Sequence, residues 1–241
     1  MFRLLILICC SFSFIIKAES YTVLSYRSAN PPYSFVQNNK VKGIFPDIFH
    51  RVSELTGHHF SFVTFSAARG LKLFDEGKVD IEPGVNPIWR NQTAIPGIYS
   101  SYYAYSREVV IGKNHQQGNQ PIDLYGKVVG VVSGYRYGAF EEHFAHNKIV
   151  KVESRSELDL ITQLYDDKID YAIMGEATAL YYQKVHHKTQ LVPLMTVSTL
   201  PVAMRLQPSL SALQQELSRV LHEMSENGEI EKIYAKYGTK P

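Results

Sequence analysis

The sequence predicts an α/β protein with mainly parallel sheets, divided into two lobes with a cleft between them. Short apolar runs alternate with helical patterns along most of the chain, and such alternation requires right-handed crossovers between parallel strands. A polar, turn-rich stretch at 113–121 interrupts the alternation once and separates two α/β blocks. Strand-like segments at 107–112 and 199–206 connect the blocks. In such architectures ligands bind where strand ends and helix N-termini face the crevice.

The first 18 residues are predicted to be a secretory signal peptide. A basic residue, Arg3, precedes an unbroken apolar run at 4–16, and the small residue Ala18 then marks a cleavage point before Glu19. A transmembrane anchor is the alternative interpretation, but the apolar run is short for a bilayer span. Both cysteines would leave with the peptide, so the mature chain would have no disulfide, thiol nucleophile or cysteine metal site.

The charge balance argues against nucleic acid as a partner. The full chain has 25 Lys and Arg against 23 Asp and Glu, and cleavage would remove Arg3 and Lys17, which makes the two counts equal. Binding to nucleic acid depends on clustered positive charge. Enzyme signatures such as G-x-S-x-G, H-E-x-x-H and the P-loop do not occur in the sequence, and no metal site or cofactor is predicted.

The elements of the first block follow from apolar spacing and helix boundary residues. Pro46 stands early in the first helical pattern and Gly57 follows it, as is typical of helix starts and stops. The predicted strands are 21–27, 60–65, 79–83 and 107–112, and the predicted helices are 46–55 and 67–76.

The second block repeats the alternation, and the chain ends in two helices. Ser156 is a good N-cap for a helix, and Ser209 is predicted to cap a helix with one apolar stripe. The predicted strands are 127–132, 147–152, 170–174 and 199–206, and the helices are 137–145, 157–166, a run after Glu176, a helix after Ser209 and 229–238.

Two stretches of the first block are candidates for binding. Tyr33 and Phe35 follow a double proline and could form a preset aromatic wall for a ligand, or could fill the core. Arg90 follows the only tryptophan, Trp89, and can hold a carboxylate or phosphate with two N–H groups. The alternative for Arg90 is a structural ion pair with Glu82, since a buried arginine without an acidic partner is costly.

Two stretches of the second block are further candidates. Ser133, Gly134 and Arg136 lie in a small-residue turn between a strand and a helix, where free N–H groups favour anions. Glu176 follows a strand at a helix start, where it could interact with the helix dipole or meet a cationic group of a ligand.

Eight short motifs in one order carry a resemblance that covers essentially the whole mature chain. They are PPYSF (31–35), GIFPDI (43–48), GKVDIEP (77–83), NPIWR (86–90), DLYGKVVGV (123–131), SGYR (133–136), DKIDYAIMGE (167–176) and GEIEKIYAKYG (228–238). In this order they resemble the family 3 extracellular solute-binding proteins, the periplasmic partners of polar amino-acid ABC importers.

The resemblance implies a two-lobed, periplasmic-binding-protein-like fold of type II. Lobe 1 would comprise residues 19–111 and 199–241, and lobe 2 residues 112–198. The protein would be a periplasmic monomer that captures a small anionic or amino-acid-like solute by lobe closure, for an ABC permease or a membrane sensor. It would be a binding protein rather than an enzyme. The same fold also resembles periplasmic dehydratases of cyclic hydroxy acids, which keeps an enzyme with Glu176 as its acid–base group as the alternative.

The resemblance also assigns roles to residues. In the family, an arginine after the first-lobe turn holds the ligand carboxylate, and an aspartate at the end of a second-lobe strand takes the ammonium group. Arg90 falls on the arginine position, whereas the aspartate position falls on Gly175, one residue before Glu176. The expected ligand-binding residues are Arg90, Tyr33, Phe35, Trp89, Ser133, Gly134, Arg136 and Glu176.

Overall fold

The computed structural model describes residues 18–26, 31–113, 116, 118–133, 135, 137–186 and 191–241. Apart from Ala18, the predicted signal peptide lies outside these residues. Within them, no helix has both the length and the apolar character that crossing a bilayer requires.

The first half of the protein is a parallel sheet with helices on both faces. Its elements are β1 (Ser20–Tyr26), a hairpin of β2 (Phe35–Gln37) and β3 (Lys40–Lys42), α1 (Ile44–Thr56), β4 (His59–Phe65), α2 (Ala67–Asp75), β5 (Ile81–Val85) and β6 (Ile98–Tyr99). Strand β1 lies between β4 and β5 and runs parallel to both. The C-terminal helices α6 (Ser211–Glu226) and α7 (Glu229–Lys236) pack on this half together with α1.

The second half repeats this architecture on a smaller scale. It contains β8 (Val128–Val132), α3 (Phe140–Ala145), β9 (Val150–Ser154), α4 (Glu157–Tyr165), β10 (Tyr171–Gly175) and α5 (Glu176–His186). Strand β8 runs parallel to β9 on one side and to β10 on the other. The α4 helix begins where the sequence predicts, because the Ser156 hydroxyl accepts a hydrogen bond from the Asp159 N–H.

Two long antiparallel strands join the halves. Strands β7 (Ala104–Lys113) and β11 (Leu191–Leu206) pair with each other along their length. They complete the order β4-β1-β5-β11-β7-β10-β8-β9, with β6 beside β11. The chain therefore passes from one half to the other within strands.

The hydrophobic cores confirm the two-lobed α/β architecture. One set of clusters is built around β1, α1 and α6, with a satellite under α2. A separate set lies around β8, β10 and α4. The lobe boundaries predicted after residue 111 and before residue 199 fall inside β7 and β11, and they remain predictions.

Most predicted elements occur within a few residues of their expected positions. Three features differ. The sequence predicts no element for the hairpin of β2 and β3, because three-residue strands carry no readable period. The first part of β11, with Pro193 and two register shifts, does not look like a strand in sequence. The sixth helix begins at Ser211 with Leu210 at the N-cap, so Ser209 is not its capping residue.

Candidate functional site

The residues after the parallel strands of both lobes meet at the boundary between the lobes, which we call the crevice. In lobe 1, the loop at 31–35 follows β1, and it reaches lobe 2, where the ring centroids of Phe35 and Tyr181 lie 5.8 Å apart. In lobe 2, Ser133, Glu157 and Glu176 follow β8, β9 and β10 respectively. Strand ends of this kind are where open α/β sheets bind ligands. We therefore take the crevice as the candidate site.

The loop at 31–35 is held rigidly against the start of α1. The Ile44 and Phe45 N–H groups donate to the carbonyls of Pro32 and Tyr33 at 2.9 and 3.0 Å, and the ring of Tyr33 stacks on Phe45 at 5.3 Å. Gly43 makes this approach possible, because a Cβ at that position would lie 2.5 Å from the Tyr33 carbonyl oxygen and its φ is +129°. The aromatic side chains of this loop are thus preset.

Tyr33 is the lobe 1 residue most affected by the charges of lobe 2. Burial raises the pKa of its phenol, and the carboxylates of Glu157 and Glu176 raise that pKa further, while Arg107 opposes them. The predicted residues Tyr33, Phe35 and Glu176 are therefore brought together across the crevice.

Arg90 is paired with Glu82, which is the structural alternative that the sequence left open. Its Nε and Nη2 donate to the two carboxylate oxygens of Glu82 at 3.1 and 2.6 Å, and its Nη1 donates to the Trp89 carbonyl at 3.0 Å. The Arg90 side chain is 17 % exposed and Glu82 is fully buried. A guanidinium has five N–H donors; the hydrogen bonds to Glu82 and Trp89 use three of them, and the Tyr26 hydroxyl is a further neighbour of Arg90.

Glu82 is a shared anion for more than one donor. Arg205, which is itself fully buried, donates from Nη1 to Glu82 Oε2 at 2.8 Å, and the Tyr26 hydroxyl donates to Oε1. Burial would raise the pKa of Glu82, but the hydrogen bonds and charge of Arg90, with those from Tyr26 and Arg205, hold this pKa below its usual range. The carboxylate is therefore ionised and anchors Arg90.

Sequence reasoning missed Arg205, although a signal existed. It is the one charged residue in the apolar strand stretch 199–206, and a charge in such a run needs a buried partner. Its guanidinium carbon lies 3.9 Å from the ring centroid of Phe74, and its Nε donates to the Pro96 carbonyl at 3.0 Å. These contacts hold Arg205 in place next to Glu82, the carboxylate that it shares with Arg90.

Trp89 does not stack on Arg90. It lies in a 3₁₀ turn at Pro87–Arg90 whose start is capped by Asn86, the side chain of which accepts from the Ile88 N–H at 3.0 Å. The Trp89 side chain is 40 % exposed. Its contact with the guanidinium runs through the backbone carbonyl, so an aromatic wall formed by Trp89 stays a prediction.

The predicted anion turn of lobe 2 is described only in part. Gly134 and Arg136 lie outside the described residues. The Ser133 N–H donates to the Ser154 carbonyl at 2.9 Å, and its hydroxyl donates to Glu153 at 3.2 Å. The expectation that the Ser133 backbone offers a free donor is therefore wrong, because parallel pairing with β9 continues past the end of β8.

Glu176 begins α5 and faces a cation on the linking strand. Its Oε2 lies 3.8 Å from Nη1 of Arg107, and both side chains are about one-third exposed. Glu176 is the first residue of the helix rather than a residue before it, which places its carboxylate near the positive end of the helix dipole. It is thus available to a ligand in the crevice.

The residue that sequence reasoning missed in lobe 2 is Glu157. It is the first residue of α4 and is only 6 % exposed. Its Oε1 accepts from the Gly175 N–H at 3.0 Å, and burial raises its pKa to about 7. An acidic residue in the first helical turn is usually a solvated dipole partner, so nothing in the sequence distinguished it.

Comparison with known proteins gives a consistent picture. The profile of the bacterial extracellular solute-binding proteins, family 3, matches residues 23–240. The arginine-binding extracellular protein ArtP of Bacillus subtilis (strain 168) is 21 % identical over 212 residues, which covers 86 % of this chain and 82 % of that protein.

Solved structures agree in fold. An ancestral arginine-binding protein bound to arginine superposes with a TM-score of 0.76 at 19 % identity, covering 91 % of this chain and 98 % of that one. A histidine kinase sensor domain with similarity to periplasmic binding proteins has a TM-score of 0.74 at 20 % identity, covering 92 % and 98 %. At such identities the likeness shows the fold alone.

Proposed function

The chain belongs to the bacterial extracellular solute-binding proteins of family 3, and from this membership we propose that it captures a small amino-acid-like solute in the crevice between its lobes. The single observation that carries the proposal is the meeting of preset aromatic side chains from lobe 1 with carboxylates from lobe 2. Tyr33 and Phe35 form one wall, and Glu157 and Glu176 form the other. An aromatic wall facing a charged wall suits a small solute with apolar and ionic parts.

Arg90 is proposed to bind the anionic group of the solute while it remains paired with Glu82. The pair fixes the plane of the guanidinium, and an N–H group that is not used by Glu82, Trp89 or Tyr26 would donate to the carboxylate of the solute. Glu82 also accepts from Arg205 and Tyr26, and Arg205 has a second carboxylate in Asp75, 3.8 Å away. A carboxylate of the solute would therefore add to a cluster of two arginines and two acidic residues.

The solute is proposed to be delivered outside the cytoplasm to a membrane protein that recognises the closed form. Closure is stabilised only to the extent that the solute binds the closed form more tightly than the open one. The named relatives include an arginine-binding protein and a sensor domain, so an ABC permease and a membrane sensor are both proposed partners. Export by a signal peptide and a monomeric state are part of the same proposal.

Titration calorimetry with the twenty standard L-amino acids at pH 8 tests the binding function. We expect micromolar or tighter binding of at least one of them, and a loss of about thirtyfold or more in Arg90→Ala, as for truncation of one partner of a buried charge pair. Arg219→Ala is the matched control, since Arg219 lies on the exposed face of α6 and pairs only with Glu223 within the described chain. Unchanged affinity in folded Arg90→Ala protein would refute the role of Arg90, and binding of none of the twenty would refute the proposed function.

Catalysis is the second candidate function, favoured by one observation. A buried glutamate with a pKa of about 7 in a crevice, as Glu157 has, fits what a general acid or base requires. It replaces Glu176 as the acid–base group that we would test. Incubation with cyclic hydroxy acids followed by NMR should show dehydration if the protein is an enzyme, and Glu157→Gln should abolish it. Lack of turnover across the series excludes this dehydratase activity.

A further inference from the structure

One buried guanidinium, that of Arg205, holds the loop that follows Arg90. Its Nε donates to the Pro96 carbonyl at 3.0 Å, and its Nη2 donates to the Thr93 hydroxyl at 3.1 Å and to the Ile95 carbonyl. The Arg205 side chain has no solvent exposure. Because a guanidinium presents its donors in a fixed plane, three residues of this loop take their positions from one rigid group.

Thr93 connects this group to the main chain of Arg90. The Thr93 N–H donates to the Arg90 carbonyl at 3.2 Å, and the Thr93 hydroxyl lies 2.8 Å from the same carbonyl and 3.1 Å from that of Ile95. A hydroxyl has one proton to donate and can also accept from a second donor. Arg205 donates to the hydroxyl oxygen and also to the Ile95 carbonyl, so the hydroxyl proton is left for the nearer carbonyl, that of Arg90.

The same guanidinium also acts on the side chain of Arg90. Arg205 Nη1 donates to Glu82 Oε2 at 2.8 Å, and Arg90 Nε donates to that same oxygen at 3.1 Å. Arg90 is therefore held at both ends from one point. Glu82 links Arg205 to its guanidinium, and Thr93 links Arg205 to its main chain.

Gly97 allows the loop to approach Arg205 this closely. Its φ is +78°, and an added Cβ would lie 2.8 Å from Arg205 Cγ and 2.8 Å from the Leu206 carbonyl oxygen. Only glycine adopts such a conformation without strain. On another side of the loop, the Ile95 N–H donates to Asp75 Oδ1 at 3.2 Å, so the loop is fixed from two directions.

We infer that Thr93, held by Arg205, is a positioning residue that presets Arg90 for the anionic group of a solute. This inference rests on the proposed function, in which Arg90 binds that group, and Thr93 acts through Arg90 rather than by contact with the solute. A binding group that is fixed before the solute arrives gives higher affinity, because less conformational freedom is lost on binding. Removal of the Thr93 hydroxyl should therefore weaken solute binding although the Arg90 side chain is still present.

Calorimetry at pH 8 tests this with the standard L-amino acid that binds wild-type protein most tightly. Thr93→Val removes the hydroxyl and keeps the branched shape, and Thr93→Ser keeps the hydroxyl. Thr162→Val is the matched control, because the Thr162 hydroxyl also donates to a main-chain carbonyl, that of Leu158, but is exposed on α4 of lobe 2. We expect about tenfold weaker binding for Thr93→Val, which leaves a buried donor of Arg205 without its acceptor. Thr93→Ser and Thr162→Val should stay within about twofold of wild type.

A double-mutant cycle separates positioning from a merely structural role. If Thr93 acts through Arg90, Thr93→Val should have no further effect on affinity in Arg90→Ala protein, because the group to be positioned is absent. An equal loss of affinity in both backgrounds would overturn the inference. An unchanged affinity in Thr93→Val would overturn it as well, and in either case the proposed function stands.

A measurement without solute decides the inference even if no amino acid binds, an outcome that would refute the proposed function. Exchange of the Arg90 Nε–H with water is followed by NMR in protein with isotope-labelled arginine, and Arg90→Lys assigns the signal. We expect this exchange to be at least about tenfold faster in Thr93→Val than in wild type, and unchanged in Thr162→Val. Equal exchange rates in Thr93→Val and wild type would overturn the inference.

Discussion

The substitution Glu157→Gln should change stability in a way that depends on pH, even without a solute. The pKa of Glu157 is raised from 4.5 to about 7 in the folded protein because burial disfavours its ionised form. A raised folded-state pKa means that the folded protein binds this proton more tightly than the unfolded chain does. The favourable contribution is complete below about pH 4.5 and is lost progressively as pH rises to about 7, above which the loss is constant.

The size of this effect follows from the two pKa values. They differ by about 2.5 pH units, and at about 1.4 kcal/mol per unit the full loss is about 3 kcal/mol. Glutamine has no such titration. The free energy of unfolding of Glu157→Gln relative to wild type should therefore increase by about 2 to 3 kcal/mol between pH 5 and pH 8.

Urea denaturation at several pH values between 5 and 8 measures this difference directly. Glu142→Gln serves as the control, since its exposed carboxylate lies on α3 of the same lobe. Titrations of groups that do not interact with Glu157 cancel in the comparison of each variant with wild type. A difference between Glu157→Gln and wild type that stays constant over this range, within about 0.5 kcal/mol, would refute the raised pKa of the buried Glu157 carboxyl.

Three further predictions concern lobe 1. Glu82→Gln should destabilise the protein by about 3 kcal/mol or more in urea denaturation, because it leaves the buried guanidinium of Arg205 without its carboxylate; a loss below about 1 kcal/mol would contradict this. Gly43→Ala should weaken solute binding at least about tenfold in calorimetry, because the new Cβ pushes the loop at 31–35 away from α1. Gly57→Ala is its control, because Gly57 also has a positive φ, of +74°, but nothing lies within 4 Å of the added Cβ; equal effects of the two would refute the argument. Phe35→Ala should favour an open form, measured as a larger radius of gyration by X-ray scattering in the presence of bound solute, because the contact with Tyr181 is lost; an unchanged radius would show that this contact does not hold the lobes together.

The sequence was sufficient for the fold because both of its signals are local. The periodic spacing of apolar residues in strands and helices can be read from neighbouring positions in the chain. The eight ordered motifs can likewise be recognised without knowing which residues are in contact. The N-cap at Ser156 is likewise a local interaction, and it was predicted correctly. Elements with weak local signals were missed, namely the three-residue strands β2 and β3 and the irregular first part of β11.

The roles of the predicted site residues stay predictions. Tyr33, Phe35 and Glu176 were expected in the crevice, and in the structure the Phe35 ring contacts Tyr181 on α5, the helix that Glu176 begins. For Arg90 the sequence left two partners open, a ligand or Glu82. The structure places it on Glu82, and its role toward a ligand remains a proposal.

What the sequence by itself determined is the order of elements, the two lobes, the family and the strand ends that face the crevice. What the tertiary structure decided is which charges lie together. Glu82 and Arg205 are 123 positions apart in the chain, and Glu157 and Gly175 are 18 apart, and no periodicity relates either pair. The cost of burying a charge depends on all groups around it, so the difference between Glu82, whose pKa is lowered, and Glu157, whose pKa is raised, exists only in the folded molecule.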